Sequence, residues 1–133
     1  MKATVMWVKS DHDLAFEGQT DSGHSISLNG DGKGLSPMES VLMSVGACSS
    51  VDVVEIMRKA RQTLDSCHVE LSAERAESPP RVFTKIHAHF VVSGEKVQDK
   101  HLQRAVALST EKYCSVMLML NQTVAVTTSY EVK

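Results

Sequence analysis

The chain has 133 residues, 42% of them hydrophobic, and a formal net charge of −2 at pH 7. Both signs of charge are scattered along the chain, which argues against nucleic-acid or anionic-membrane partners. This length suits one domain, 1–133, with a buried core. The first apolar run is too short for a signal peptide and no later run is long enough to span a membrane, so we expect a cytoplasmic protein.

Three strands are predicted at the start of the chain. Residues 2–8 alternate between apolar and polar and lead into a polar turn at 10–13. Residues 14–17 and 24–28 are also typical of strands, and the glycine-rich segment 29–34 predicts a loop. The opening therefore reads as a small antiparallel meander.

A long helix follows the loop. Ser36 is predicted as its N-cap, Pro37 as its first residue, and Glu39 completes a capping box. Apolar residues recur at helical spacing at Met38, Val41, Leu42 and Val45. The small residues around Cys48 would let another backbone or a ligand come close, and glycine inside a helix costs about 1 kcal/mol relative to alanine, so Gly46 predicts a tight contact. A kink or a break near Cys48, with a second capping-like pair at Ser49 and Asp52, is also predicted.

The second half alternates again before it returns to helical patterns. Residues 68–74 and 82–92 predict a hairpin across Ser78-Pro79-Pro80. Helical spacing follows from Leu102 to Ser109, then a short apolar helix over 112–120 and a strand over 123–132. This order lacks regular strand–helix alternation and favours the α+β class. The long helix is apolar over much of its surface, so a homodimer is expected to cover it.

Two of the three cysteines occur in helix-like segments. Cys48 and Cys114 are 66 residues apart, so only the fold can bring their sulfurs together. A thiolate that attacks a peroxide becomes a sulfenic acid, which a second thiol converts to a disulfide. An odd cysteine count in a cytoplasmic protein argues against structural disulfides, so such a disulfide would be transient. Burial of Cys48 as a small apolar side chain is the alternative, and packing is the prediction for Cys67.

Other candidate sites are weaker. His87 and His89 share one face of a predicted strand, but no third ligand has suitable spacing, so solvated histidines are favoured over a metal site. We predict neither a metal nor a cofactor. The methionines of the apolar helices are predicted to fill the core, or else to line an apolar entrance: Met38, Met43, Met57, Met117 and Met119.

The stretch from Gly34 to Arg61, together with Glu111-Lys112-Tyr113-Cys114-Ser115-Val116, resembles the OsmC/Ohr family of thiol peroxidases, in particular its YhfA-like branch. The resemblance implies a curved antiparallel sheet packed on central helices in an intertwined homodimer. It also implies reduction of organic hydroperoxides at the dimer interface, with Cys48 as the peroxidatic and Cys114 as the resolving cysteine. An external dithiol would then serve as the reductant.

The family's activating residues are not matched. Met38 stands where the family has a glutamate after the helix-opening proline, and the segment 17–23 has Gln19 but no arginine. Glu39 is engaged by the capping box, which leaves Arg58 or Arg61 to supply positive charge, although Arg58 is also placed to pair with Glu55. A helix N-terminus after Cys48 is the other expected source of activation.

Three functions therefore remain open on the sequence. The first is the peroxidase. The second is a small-molecule binding protein that keeps the fold without the catalytic chemistry. The third is a redox sensor in which a disulfide changes the dimer interface.

Overall fold

The computed structural model of the chain describes residues 1–9 and 13–133. Its contacts divide it into two compact units, Met1–Val41 and Leu42–Lys133. Most of the turn predicted at 10–13 lies outside the described residues. The assignment of 1–133 to a single domain stays a prediction.

The first unit contains the predicted meander. Its strands are β1 (Ala3–Trp7), β2 (Ala15–Thr20) and β3 (Ser25–Asn29), and both neighbouring pairs are antiparallel. Gly18 lies opposite Val5 and Ile26 in the register. The meander is confirmed, with each strand within a few residues of its predicted place.

Helix α1 (Pro37–Lys59) begins with the predicted capping box. The backbone N–H of Ser36 donates to the Glu39 carboxylate at 2.8 Å, and the backbone N–H of Glu39 donates to the Ser36 hydroxyl at 3.0 Å. The break predicted near Cys48 is wrong, because α1 is continuous. The Ser49 hydroxyl donates back to the carbonyl of Val45 at 2.7 Å and therefore does not cap a new helix.

The second unit contains a three-stranded sheet and two short helices. Strands β4 (Ser66–Arg75) and β5 (Phe83–Ser93) form the predicted antiparallel hairpin. Strand β6 (Ala125–Val132) pairs with β5 in parallel, so the expectation of a wholly antiparallel sheet is wrong for this pair. The connection between them contains α2 (Asp99–Leu108) and α3 (Ser115–Leu120), and such a long crossover returns the chain to the end of the sheet where β5 began.

The core of the second unit lies on one face of this sheet. Alternate residues of β5 are almost fully buried: Ile86, Ala88, Phe90 and Val92. Met57 and Met117 are also fully buried, which confirms core filling for these two methionines, whereas Met43 and Met119 are exposed. The close contact predicted at Gly46 is confirmed, because a Cβ there would lie 2.8 Å from Cδ1 of Leu71. The α+β class is confirmed.

Candidate functional site

Cys48 lies in the interior of α1 and is half-buried. The residues on either side of it in the chain, Ala47 and Ser49, belong to the same unbroken helix. Backbone N–H groups inside a helix are already bonded to carbonyls one turn earlier. The helix N-terminus that was expected to activate Cys48 is therefore absent, and that prediction is wrong.

Cys114 ends one helical segment and caps the next. A π-helical turn, Ser109–Tyr113, precedes it, and its backbone N–H donates to the Ser109 carbonyl at 2.8 Å. Its backbone is extended, and its Sγ accepts a bond of 3.4 Å from the backbone N–H of Met117. Cys114 is therefore the N-cap of α3, where the sequence placed it inside a helix. Single π turns are frequent at functional sites.

The two thiols are both free, and they lie close enough for Cys48 to act on the pKa of Cys114. The pKa of Cys114 is raised to about 11, chiefly by burial and further by the neighbouring Cys48, against the opposing effect of the N–H groups of Met117 and Val116. A raised pKa means that Cys114 keeps its proton in the folded protein. With such a pKa, about one Cys114 in ten thousand is ionised at pH 7.

A buried polar contact holds these thiols together. The Ser109 hydroxyl, fully buried, donates to the Asp52 carboxylate at 2.9 Å and lies 3.4 Å from the Ser49 carbonyl. Asp52 is one turn beyond Cys48 on α1, and Ser109 begins the π turn that ends at Cys114. Sequence reasoning missed this hydrogen bond between Ser109 and Asp52. Its signal was a serine in line with the apolar stripe of α2, since a polar residue there needs a buried partner.

Neither arginine proposed from the sequence acts on the thiols. Arg58 lies ten residues beyond Cys48, which is about 15 Å along a helix, and Arg61 is further still. The predicted pair of Arg58 with Glu55 does not occur among the residues that the structure describes. No arginine contributes to the pKa shift of Cys114.

The other two activating candidates lie in the first unit. The Glu39 carboxylate accepts the Ser36 N–H in the capping box. Gln19 is exposed on β2, opposite Thr4 and Ser25. A catalytic role for either residue stays a prediction.

A groove lies between α1 and α2, beside the Ser109–Asp52 hydrogen bond. Its volume is about 440 Å³, and it extends from Asp52 to Tyr113, the residue before Cys114. Charges of both signs line it, from Glu55, Lys59 and Arg104, together with the imidazole of His101. Tyr113 is exposed, and the Lys112 ammonium lies 5.4 Å from its ring centre. A groove of this size next to Cys114 suits a small molecule better than a macromolecule.

The histidines of β5 bond to hydroxyls of β6. The two ring nitrogens of His87 lie 2.7 Å from Oγ1 of Thr127 and 2.8 Å from Oγ of Ser129. The Nδ1 atom of His89 lies 2.7 Å from the same Ser129 oxygen, and its Nε2 lies 3.9 Å from Glu131. Within 1–9 and 13–133, no cluster of three or more His, Cys, Asp or Glu residues is arranged to hold a metal.

Comparisons with known proteins support the resemblance. The family model described as OsmC-like protein matches residues 30–129. Protein YhfA of Escherichia coli (strain K12) is 50% identical over 134 residues, which cover 99% of this chain and 98% of YhfA. The chain belongs to the OsmC-like family.

Solved structures agree with this membership. The hypothetical protein from Aquifex aeolicus VF5 is 38% identical to this chain, with a TM-score of 0.89 over 99% of this chain and 95% of that one. The organic hydroperoxide resistance protein OhrB of Bacillus subtilis is 16% identical, with a TM-score of 0.63 over 98% of each chain. At that identity the likeness of OhrB to this OsmC-like protein is one of fold alone.

Proposed function

We propose that this OsmC-like protein reduces organic hydroperoxides through Cys48 and Cys114. The observation that carries the proposal is the contact between a half-buried Cys48 and a fully buried Cys114 whose pKa is raised to about 11. A peroxide reaches an accessible sulfur first, which assigns the attack to Cys48. A neighbouring thiol that keeps its proton then supplies the second sulfur. The hydroperoxide resistance named for OhrB supports the redox role.

The reaction divides into three steps. The Cys48 thiolate attacks the distal oxygen of ROOH, so an S–O bond forms, the O–O bond breaks, and the alkoxide takes the Cys114 proton and leaves as ROH. The Cys114 thiolate then attacks the Cys48 sulfenic acid, and an S–S bond replaces S–O. Hydroxide leaves and becomes water by taking from solvent the proton that Cys48 released when it ionised. An external dithiol finally reduces the disulfide and is itself oxidised.

The test is thiol counting and mass spectrometry on the reduced protein after one equivalent of cumene hydroperoxide or hydrogen peroxide. We expect a Cys48–Cys114 disulfide that forms faster with the organic peroxide. Cys48→Ser should abolish it, Cys114→Ser should leave a sulfenic acid on Cys48, and the matched control Cys67→Ser should behave as wild type. Thiols that react no faster than free cysteine would overturn the proposal.

A redox sensor is a second candidate, and the cap of α3 favours it. The Cys114 sulfur accepts the Met117 N–H at 3.4 Å, so a disulfide with Cys48 changes the group that caps the helix. In a sensor, oxidation should speed hydrogen exchange at the Met117 amide, without turnover of peroxide by added dithiol. Multiple turnovers with dithiol would favour the enzyme.

We also propose that the protein is a homodimer. Contrary to the expectation from the sequence, α1 is by length and composition apolar enough to cross a membrane, as core helices of soluble proteins also are, and only 28% of its most apolar stretch is buried. Met43 and Val51 on this helix are 58% and 60% exposed. Monomers rarely expose such a surface, and a second copy covers it by symmetry without a membrane.

A further inference from the structure

A second cavity lies at the C-terminal end of α1, within the second unit. Its volume is about 460 Å³, and neither Cys48 nor Cys114 lines it. Arg58 and Arg61, both exposed, line it together with Cys67, at the start of β4. Volumes of this size are typical of small-molecule sites.

The two arginines are unpaired. Within the described parts of the chain, neither guanidinium makes a hydrogen bond or an ion pair, although Asp65 lines the same cavity. A guanidinium carries five N–H donors in a planar arrangement that matches a carboxylate or a phosphate. Two such groups beside one cavity therefore offer a site to an oxyanion.

Arg61 adopts a backbone conformation that normally belongs to glycine. Its φ is 59°, and the backbone N–H groups of Arg61 and Gln62 donate to the carbonyls of Arg58 and Met57, each at 2.9 Å. These bonds form the Schellman motif, in which the left-handed residue is usually glycine because a side chain is strained there. Strained residues of this kind cluster at functional sites, which supports a role for the Arg61 side chain.

Hydrogen bonds and packing against neighbouring segments hold residues 62–65, which line the cavity, in place. The Gln62 side-chain carbonyl accepts the backbone N–H of Gln98 at 2.8 Å, and the backbone N–H of Asp65 donates to the Ser93 carbonyl at 2.8 Å. A Cβ at Gly94 would lie 2.2 Å from the Thr63 carbonyl oxygen, so the connection 62–65 is tightly packed against the end of β5. A preformed wall lowers the entropy lost when a ligand binds.

We propose that this cavity binds a small organic anion, with its carboxylate or phosphate between Arg58 and Arg61. Apolar atoms of Val54, Leu64 and Cys67 also line the cavity and suit the rest of the molecule. The site is separate from the thiol pair, so it stands whether or not the protein is a peroxidase.

The test uses benzoate and phenyl phosphate as probes of the two anion types. Each is titrated into the wild-type chain by calorimetry, while mass spectrometry follows alkylation of the Cys67 peptide by iodoacetamide. We expect saturable binding of at least one probe at millimolar concentration or below, with a slower alkylation of Cys67 at saturation. Which probe binds more tightly identifies the anion.

Three variants assign the binding to the arginines. Arg58→Gln and Arg61→Gly should each weaken binding at least tenfold, whereas the control Arg104→Gln, on the groove between α1 and α2, should bind as wild type. Arg61→Gly should also raise the melting temperature, because glycine relieves the strain, so a weaker affinity cannot be ascribed to unfolding. Failure of both probes to bind, or unchanged affinity in both arginine variants, would overturn the proposal.

Discussion

The Ser109 hydroxyl donates a hydrogen bond of 2.9 Å to the Asp52 carboxylate and so ties the turn that leads to Cys114 to the helix that carries Cys48. Ser109 is fully buried. The bond to Asp52 is part-buried, and a hydrogen bond to a charged group is worth about 1.5–3 kcal/mol, a large fraction of the stability of a domain. The bond therefore bears on both the fold and the contact between the thiols.

Ser109→Ala should lower the free energy of unfolding by about 1–3 kcal/mol, because the Asp52 carboxylate loses its buried donor. It should also slow formation of the Cys48–Cys114 disulfide by diamide, since the turn before Cys114 loses its attachment to α1. Urea unfolding followed by circular dichroism measures the first effect, and thiol counting measures the second. The matched control is Ser72→Ala on an exposed position of β4. Equal stability of the two variants would contradict the role given to Ser109.

The same substitution at two glycines should have different effects. A Cβ at Gly94 would lie 2.2 Å from the backbone oxygen of Thr63, whereas one at Gly46 would meet Cδ1 of Leu71, the far end of a side chain that can turn. Gly94→Ala should therefore cost about 3 kcal/mol or more, since backbone must move. Gly46→Ala should change stability by less than about 1 kcal/mol, because the gain in helix propensity offsets the displaced methyl group.

Chemical denaturation of both alanine variants checks this contrast. The double variant Gly46→Ala/Leu71→Val serves as the control, because it removes the methyl group in question and should be at least as stable as Gly46→Ala alone. A Gly46 variant as unstable as the Gly94 variant would contradict the explanation.

Local rules predicted the start of α1, and long-range packing decided its middle. The capping box around Ser36 and Glu39 depends on residues three apart, so the sequence alone locates it. The run of small residues around Cys48 resembles a break, but the Ser49 hydroxyl bonds back to Val45 and the close approach of Leu71 to Gly46 needs small side chains. The same composition therefore suits tight packing, which periodicity cannot distinguish from a break.

The cysteines of the site were predictable, but their surroundings were not. Cys48 and Cys114 stood out by residue type, whereas their contact depends on a crossover that no local pattern encodes. The parallel pairing of β6 with β5 is of the same kind, because direction follows from where the helices return the chain. Ser109 and Asp52 form a hydrogen bond although they are 57 positions apart in the sequence. An apolar helical stripe gives no sign of which distant residue a serine within it contacts.

The raised pKa of Cys114 predicts a loss of stability at alkaline pH. Its pKa rises from an ordinary 9.0 to about 11, so the folded protein holds a proton that the unfolded chain gives up in this range. The contribution is fully present below about pH 9, is lost progressively between pH 9 and 11, and amounts to about 2–3 kcal/mol at most.

Urea unfolding at pH 8, 9, 10 and 11 under reducing conditions measures this slope. Cys114→Ser keeps an N-cap for α3 but has no group that titrates in this range, so the difference between wild type and variant isolates the thiol from lysines and tyrosines. Parallel slopes for the two proteins would contradict a raised pKa at Cys114.

The exposed methionines distinguish the proposed dimer surface from ordinary surface. Met43 on α1 is 58% exposed and Met119 on α3 is 67% exposed, so the two resemble each other in the monomer. If a second copy covers α1, Met43→Lys buries a charge at the interface and should weaken dimerisation at least tenfold, while Met119→Lys should leave it unchanged. Sedimentation equilibrium over a range of protein concentrations measures both. Equal dimerisation of the two variants would show that the interface lies elsewhere. A wild-type protein that stays monomeric at high concentration would contradict the proposed dimer itself.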